Sequence, residues 1–336
     1  MKLNSIFSNH MVLQANKPIR IFGTGEGTVE IDFINIHIKI KNKSNSWSIE
    51  LPPLGYGGPY AMKVKLNEQQ LIFDDVYIGE VILLAGQSNI ELSMDSTNFP
   101  ISEYVENKMM RCFAAPRFSG NNAFDPQNGW YCCEEKNISK WSAIGYHLGM
   151  EITQRHNVAV GLIFCYYGSS VIGSWLPAEI ATQEKYKLPK EEMYDSEFVR
   201  AEHNKFGTLY NFSQQPIVPY SIGEVIWYQG ESNTGKGEWK IYSDLLKELI
   251  LCWRNDFLES NLHFTVIQIA DFDVRNDIGW KGIQEAQTKI VDMVDNVSLV
   301  KSADLCETDN IHPPTKIYLA NRIYKDVFKK KLNDID

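Results

Sequence analysis

Residues 83–92, LLAGQSNIEL, join an apolar run directly to a cluster of small polar residues. The apolar run occupies residues 81–84, and GQSN follows at residues 86–89 after a single alanine. A short apolar run bounded by glycine is typical of a buried strand that ends at the glycine. The junction is therefore either a plain turn or a turn that presents Ser88 as a nucleophile at the end of a strand.

Four more apolar runs have the same character, and they lie at residues 160–167, 225–228, 264–270 and 297–300. They are continuous rather than alternating, which is typical of strands covered on both faces, as in a parallel sheet. Helical periodicity separates and follows these runs, at residues 141–156, 238–255, 280–294 and 313–331. In the last pattern, Pro313 and Pro314 suit the first helical turn, where no N–H group is needed. The alternation of strand and helix predicts an α/β sandwich.

The first 75 residues have a different pattern, in which apolar and polar residues alternate. The sequence IHIKIK at residues 36–41 has a period of two, and the same period recurs at residues 62–66. This period is typical of strands with one buried face, and glycine-rich and proline-rich turns separate them. We therefore predict a small β accessory domain over residues 1–75 and an α/β domain over residues 76–336.

The composition argues against several classes of function. The chain of 336 residues has 33 basic and 42 acidic residues and a net charge of −9, so it lacks the basic excess of a nucleic-acid-binding protein. No apolar run reaches the roughly 18 residues that a membrane span needs. The N-terminus has neither the apolar core nor the cleavage site of a signal peptide, which predicts a cytoplasmic location. We predict no nucleic-acid or membrane partner, and the oligomeric state is left open.

The 6 cysteines and 7 histidines do not have the spacing of known metal sites. There is no CxxC pair and no HExxH sequence. We therefore predict no metal site and expect free thiols in a reducing compartment.

Residues able to carry chemistry follow the apolar runs. They are GQSN at 86–89, GSS at 168–170, QGESN at 229–233, and a final segment at 304–312 that contains Asp309 and His312. Because ligands bind at the carboxyl ends of strands in an open parallel sheet, we expect these segments to meet at one edge. Together they contain a hydroxyl, a base and hydrogen-bond donors, which are the groups that acyl transfer needs.

Each group has a defined role in such a reaction. A serine hydroxyl is a poor nucleophile at neutral pH, so Ser88 needs a base, and His312 has a suitable pKa. Asp309, three residues before the histidine, is the natural candidate to orient the imidazole. The Ser88 N–H, a backbone N–H near Gly168 and the Asn233 amide could form the oxyanion hole. Loss of one such donor costs on the order of 10²–10³ in turnover.

Each of these residues also has an ordinary explanation when it is taken alone. Ser88 and Asn233 could form turns or helix caps, Gly168 could be a turn glycine, and His312 could simply begin a helix. Ile90 occupies the position of the second glycine of GxSxG, so the nucleophile elbow of the α/β-hydrolases is not predicted. Only the joint occurrence at strand ends favours catalysis.

Four segments resemble the sialate O-acetylesterase-like group of the SGNH hydrolases. They are LLAGQSNIEL at 83–92, VGLIFCYYGSSVIGSW at 160–175, LYNFSQQPIVPYSIGEVIWYQGESN at 209–233 and DLCETDNIHPPTK at 304–316. SNHMVLQANKPIRIFG at 8–23 and LPPLGYGGPY at 51–60 are similar to the β-domain that precedes the nucleophile in these enzymes. The resemblance implies an SGNH-type (flavodoxin-like) α/β/α sandwich with a parallel sheet, preceded by a β-sandwich-like domain. It also implies a serine O-acetylesterase that needs no cofactor.

The resemblance assigns Ser88 as the nucleophile, His312 as the base, and Gly168 and Asn233 to the oxyanion hole. The chain departs from the family at three points. Isoleucine replaces the usual methionine after GQSN, and Gly-Ser-Ser replaces Gly-Gly-Thr at residues 168–170. Relatives often have an acid two residues before the histidine, where this chain has asparagine and carries its acid one residue earlier. The enzyme therefore uses either a triad or a Ser–His dyad.

Four more residues are candidates for binding a sugar. The amides of Gln87 and Gln229 could bind hydroxyl groups, and Trp175 could stack on a sugar ring. Glu231 matches the QGESN pattern of the family, and contact with the substrate or pairing within its loop would both explain it. Amides satisfied within loops and aromatic rings buried in a core are the alternatives.

The resemblance implies a small or oligosaccharide O-acetylated sugar as the partner, with O-acetylated sialic acid first and acetylated xylan second. A sialic acid would favour an arginine at the pocket to bind its carboxylate, and Arg111, Arg117 and Arg275 are the candidates. Two alternatives remain open. The chain could be a carbohydrate-binding protein that has lost catalysis, or a hydrolase of another bond.

Overall fold

The structure is a computed structural model that describes residues 1–120, 122–189, 192, 201–275 and 277–333. Its strands, β1 to β14 in chain order, are Lys2–Leu3, Val12–Gln14, Ile19–Thr24, Gly27–Phe33, Ile36–Asn42, Ser46–Leu51, Gly57–Leu66, Gln69–Gly86, Asn107–Ala114, Tyr131–Cys133, Val160–Tyr166, Glu224–Tyr228, His263–Ile267 and Val297–Val300. Its α-helices are Ser88–Glu91, Glu135–Ile138, Ala143–His156, Ala178–Ala181, Trp239–Asp256, Ile278–Met293, Ile317–Ile323 and Lys329–Asn333. In the described part of the chain, no helix is long and apolar enough to cross a membrane.

The main sheet has the strand order β10-β9-β11-β8-β12-β13-β14. Strands β9, β11, β8, β12, β13 and β14 pair in parallel, whereas β10 pairs antiparallel with β9. Each of the five apolar runs predicted from the sequence overlaps one of these strands, although the run at 264–270 continues three residues beyond the end of β13 at Ile267. The predicted α/β class is therefore confirmed, with a mixed rather than a purely parallel sheet.

Helices cover both faces of this sheet. The helix that contains Gly145 lies so close to β8 that a Cβ at Gly145 would be 2.6 Å from Leu84. The helix that contains Trp253 packs against β12, with the Trp253 and Trp227 ring centroids 5.9 Å apart. Ile226 is in register with Leu84, so Trp227, the next residue, points to the opposite face. The two helices therefore lie on opposite faces, which leaves the strand ends free to form a site.

Strand β8 links the two parts of the chain. Its first half pairs with β7 and β2, and its second half pairs with β11 and β12. Exposed residues occur in its first half, whereas every residue from Ile78 to Gly86 is buried. The predicted boundary between residues 75 and 76 lies inside this strand, close to the point where the pattern changes. Every secondary-structure element described in residues 1–75 is a β-strand.

The last predicted helix begins later than the sequence suggested. It was predicted over residues 313–331 with Pro313 and Pro314 in its first turn, but it begins at Ile317. The prolines instead lie in the loop before it, because a residue that precedes proline disfavours the helical conformation. The helix continues as a π-helix over Tyr324–Phe328. Strands β9 and β10 were not predicted, because their polar and apolar residues follow no clear period.

Candidate active site

The turn after β8 requires glycine. Gly86 has a φ of 131°, and a Cβ at this position would lie 2.1 Å from the Tyr228 carbonyl oxygen. The neighbouring strand β12 therefore approaches closely, and the chain turns directly into the short helix Ser88–Glu91. Ser88 is the first residue of that helix, where backbone N–H groups have no partner within the helix. The strand thus ends so that both the hydroxyl and the N–H of Ser88 are available.

Ser88 and His312 are in direct contact. The Oγ of Ser88 lies 2.7 Å from Nε2 of His312, although the two residues are 224 positions apart. Burial, and then the positive charge of Lys316, lower the pKa of His312. The imidazole is therefore biased toward its neutral form, which is the form that can accept a proton from the hydroxyl.

The structure does not bring Asp309 to the imidazole. Asp309 is exposed, and within the described residues it makes no hydrogen bond to His312. Asn310 faces back instead, and its Oδ1 accepts a hydrogen bond of 2.9 Å from the His312 backbone N–H. Asn310 thus contacts the backbone of His312, whereas the carboxylate of Asp309 lies in solvent. The geometry among the described residues is that of a Ser–His pair.

Gly168 lies beside the nucleophile, but its N–H group is occupied. A Cβ at Gly168 would be 3.8 Å from the Cβ of Ser88. The Gly168 N–H donates to Oε2 of Glu91 at 2.6 Å, and Arg117 binds the other carboxylate oxygen at 2.7 Å. The next residue, Ser169, has a φ of 58°, a conformation that favours glycine. The Glu91 carboxylate thus occupies the Gly168 N–H group, which was predicted to stabilise the oxyanion.

The amide of Asn233 has a fixed orientation. Its Oδ1 accepts hydrogen bonds from the Ile172 backbone N–H at 3.0 Å and from the Gln229 side chain at 2.8 Å. Since the oxygen is engaged twice, the NH₂ group must face the other way, and it lies 3.4 Å from a carboxylate oxygen of Glu238. The amide of Asn233 is thus fixed with its oxygen toward Ile172 and Gln229 and its NH₂ group toward Glu238.

Two of the predicted sugar-binding residues bind each other. Oε1 of Gln87 accepts hydrogen bonds from the Gln229 side chain at 3.1 Å, from the Gly230 N–H at 3.3 Å and from the Ser232 N–H at 3.2 Å. Gln229 is fully buried and also donates to the Ser170 carbonyl at 2.9 Å. These amides hold the loops after β8 and β12 together.

Trp175 lies in the core. It is fully buried, and its Nε1 donates to Ser170 at 3.0 Å. Its ring contacts those of Trp227 and Trp253, at centroid distances of 6.2 and 6.3 Å. The ring therefore supports the loop that contains Gly168 from below, and no face of it is open to a sugar.

A buried polar cluster, which the sequence did not reveal, lies behind the catalytic pair. Asn89 donates to Glu231 at 2.6 Å and to the Ile311 carbonyl at 3.0 Å, and it accepts from Lys316 at 2.7 Å. Burial raises the pKa of Glu231 and lowers that of Lys316 to about 8. Asn89 thus ties the loop before His312 to the helix that carries the nucleophile.

The sequence contained only weak indications that Glu91 and Lys316 lie at this site. Glu91 follows Ser88 by three residues and Lys316 follows His312 by four, so a helical spacing was the only indication of proximity. Within the described residues, no group of three histidine, cysteine or acidic side chains suited to a metal ion lies at this site.

Comparison with known proteins identifies the family to which the chain belongs. Residues 78–326 match the family model described as carbohydrate esterase, sialic acid-specific acetylesterase. Human sialate O-acetylesterase is 25% identical over 368 residues, covering 95% of this chain and 69% of that protein. The mouse protein is 24% identical over 387 residues, covering 95% and 71%.

Among solved structures, a carbohydrate acetylesterase from Xanthomonas citri has the same fold. Its TM-score is 0.81 at 23% identity, and the match covers 97% of this chain and 75% of that one. The family model spans most of the chain and includes every residue of the pair, the oxyanion candidates and the buried cluster. The chain therefore belongs to the carbohydrate esterase family of sialic acid-specific acetylesterases, carboxylic ester hydrolases that act on O-acetylated sugars.

Proposed function

We propose that this chain removes acetyl groups from O-acetylated sialic acid through an acetyl-enzyme formed on Ser88. The observation that carries the proposal is the contact of 2.7 Å between Ser88 Oγ and His312 Nε2 at the carboxyl end of β8. We further propose an SGNH-type α/β/α sandwich over residues 76–336 and a β-sandwich-like domain over residues 1–75. The parallel pairing and the helices on both faces support this assignment.

The proposed reaction has two halves. Ser88 Oγ attacks the acetyl carbonyl carbon while Nε2 of His312 takes the hydroxyl proton. The tetrahedral intermediate collapses, and His312 gives that proton to the departing sugar oxygen. Water then attacks the acetyl carbon as His312 takes its proton, and acetate leaves when the bond to Ser88 Oγ breaks and His312 returns the proton to that oxygen. No cofactor takes part in these steps.

The oxyanion needs donors that face the attacked carbonyl. The Ser88 N–H, at the start of a helix, and the NH₂ of Asn233, which also lies 3.4 Å from a carboxylate oxygen of Glu238, are the donors that we propose. The Gly168 N–H joins them only when Glu91 moves off it. A cavity of about 160 Å³ is lined in part by Glu91 and Arg117, and it offers room for that movement.

The ion pair between Glu91 and Arg117 bears on the choice of sugar. A sialic acid carries a carboxylate, which could replace that of Glu91 on Arg117 and so free the Gly168 N–H. Of the other two arginines, Arg111 is buried and bound to Asp75, whereas Arg275 binds Thr234 at 3.1 Å. Arg117 is therefore the best candidate to recognise the substrate carboxylate.

A neutral acetylated sugar, such as an acetylated xylo-oligosaccharide, is the second candidate. The observation in its favour is that Glu91 already neutralises Arg117 at 2.7 Å, so a neutral substrate requires no exchange of ion pairs. A carbohydrate-binding protein without catalysis is less well supported, because the nucleophile and the base are both present and in contact.

Acetate release from O-acetylated sialic acid and from acetylated xylo-oligosaccharides tests the proposal. We expect release from the sialic acid at the higher kcat/KM, and its loss in Ser88→Ala and in His312→Ala with unchanged thermal unfolding. Preference for the xylo-oligosaccharide would select the second candidate. No release from either substrate or from 4-nitrophenyl acetate would refute the esterase mechanism.

A further inference from the structure

Three side chains of metal-ligand type converge where the N-terminal strands meet the main sheet. They are His10, Asp75 and Cys132, and their ligand atoms all lie within 4.8 Å of one another. Each is partly exposed, so an ion in solution could reach them. Among the residues that the structure describes, this is the only such group of three.

Hydrogen bonds hold the backbone around these three residues. The His10 N–H donates to the Asp75 carbonyl at 3.0 Å, and the His10 ring lies 2.6 Å from the Asp75 carboxylate. Cys132 is paired with Arg111 across β9 and β10, and its carbonyl accepts from Asn137 at 2.9 Å. His10 has a φ of 69°, a conformation uncommon in a residue other than glycine, which suggests that the surroundings dictate its position.

An outer contact holds one of these candidate ligands in place. Arg111 Nη2 donates to both oxygens of Asp75, at 3.1 and 3.0 Å, and so fixes the carboxylate as outer contacts do in metal sites.

We propose that His10, Asp75 and Cys132 bind one Zn²⁺ ion per chain, with water as the fourth ligand. A mixed set of nitrogen, oxygen and sulfur donors around a small site is typical of Zn²⁺. Binding displaces the proton of the histidine and that of the thiol, and the thiolate and the carboxylate supply negative charge to the ion. The ion would tie β8 and β10 to the segment before β2.

This site is separate from the esterase site. Asp75 lies in the first half of β8 and Ser88 follows its end, so the two are roughly 40 Å apart along the strand. The ligands His10 and Asp75 are 65 residues apart in sequence. No short spacing could therefore reveal the cluster, which is why the sequence predicted no metal site.

The test titrates the full chain, freed of metal by a chelator, with Co²⁺ and with Zn²⁺. We expect one equivalent to bind, with thiolate-to-cobalt charge-transfer absorption, and Zn²⁺ to raise the unfolding temperature. Cys132→Ser and His10→Asn should each weaken binding by more than the roughly 100-fold that loss of an outer contact can cost. Both variants should keep the hydrolysis of 4-nitrophenyl acetate, which shows that they are folded.

Two matched control variants test whether loss of any thiol or imidazole beside an acid weakens binding of Zn²⁺. Cys252 lies 3.7 Å from a carboxylate oxygen of Asp256, and His37 lies 2.5 Å from Asp32, so each has a similar acidic neighbour without the third ligand. Cys252→Ser and His37→Asn should bind Zn²⁺ like the unmodified chain. Absence of saturable binding, or binding that survives loss of Cys132, would overturn the proposal.

Discussion

Substitution of Asp309 separates a catalytic dyad from a triad. In a Ser–His–Asp triad, the aspartate fixes the tautomer of the histidine, and its change to asparagine lowers kcat by about 10⁴. Here Asp309 is exposed and makes no hydrogen bond to His312 among the described residues. We therefore expect Asp309→Asn to retain most of the activity.

The size of the expected loss of rate follows from the only interaction that an exposed Asp309 can have with His312, a screened interaction between charges. An exposed charge interacts with a neighbouring charge by at most about 1 kcal/mol. That energy corresponds to about a fivefold change in rate, whereas a loss of 10⁴ corresponds to about 5.4 kcal/mol. The losses of rate expected for a dyad and for a triad thus differ by roughly three orders of magnitude, which is far beyond experimental error.

The assay is kcat/KM for 4-nitrophenyl acetate as a function of pH. For Asp309→Asn we expect at most about a fivefold loss and an acidic limb at an unchanged pH, because burial and Lys316, rather than an acid, set the pKa of His312. Asn310→Ala is the control, since it removes the hydrogen bond to the His312 N–H and should lower activity more. A loss of about 100-fold or more in Asp309→Asn would refute the dyad geometry.

Three further substitutions test the surroundings of the pair. Lys316→Met removes a positive charge that lowers the pKa of His312, so the acidic limb of kcat/KM should move to higher pH; a limb that stays in place would contradict this. Glu91→Gln replaces a charged acceptor on the Gly168 N–H with a neutral one, weaker by about 1 kcal/mol, and should raise kcat/KM for a neutral ester up to about fivefold. A fall would instead indicate that the carboxylate assists catalysis. Ser169→Gly relieves a φ of 58° and should stabilise the chain by about 0.5–1 kcal/mol in denaturant unfolding, whereas a loss of stability would indicate a needed contact of the hydroxyl.

The sequence predicted that Ser88 and His312 lie together because sheet geometry leaves few alternatives. Apolar runs identify parallel strands, and the carboxyl ends of such strands meet at one edge. Ser88 and His312 follow two such strands, so they could be paired without knowledge of the 224 residues between them. The α/β class followed from the same alternation, although the antiparallel strand β10 left no clear pattern.

The loops could not be predicted in the same way. Asp309 and Asn310 are neighbours, and Asn310 accepts a local hydrogen bond of 2.9 Å from the His312 backbone N–H, whereas Asp309 is exposed. Lys316 is buried because Asn89 accepts its hydrogen bond at 2.7 Å, and these residues are 227 positions apart. Contacts of this kind depend on the assembled loops, so residue spacing does not encode them.

The buried amides explain why GQSN and QGESN occur together in one chain. Loss of the Gln87 carbonyl oxygen would leave two donors without their acceptor, the N–H groups of Gly230 and Ser232, and would remove one of the three acceptors of the Gln229 side chain. Each buried donor left unsatisfied costs about 1–3 kcal/mol, a large part of the stability of a typical domain. A change in one motif therefore penalises the fold unless the other motif changes with it. On this argument the residues that flank Ser88 contribute the polar contacts that hold two loops in a single arrangement around it.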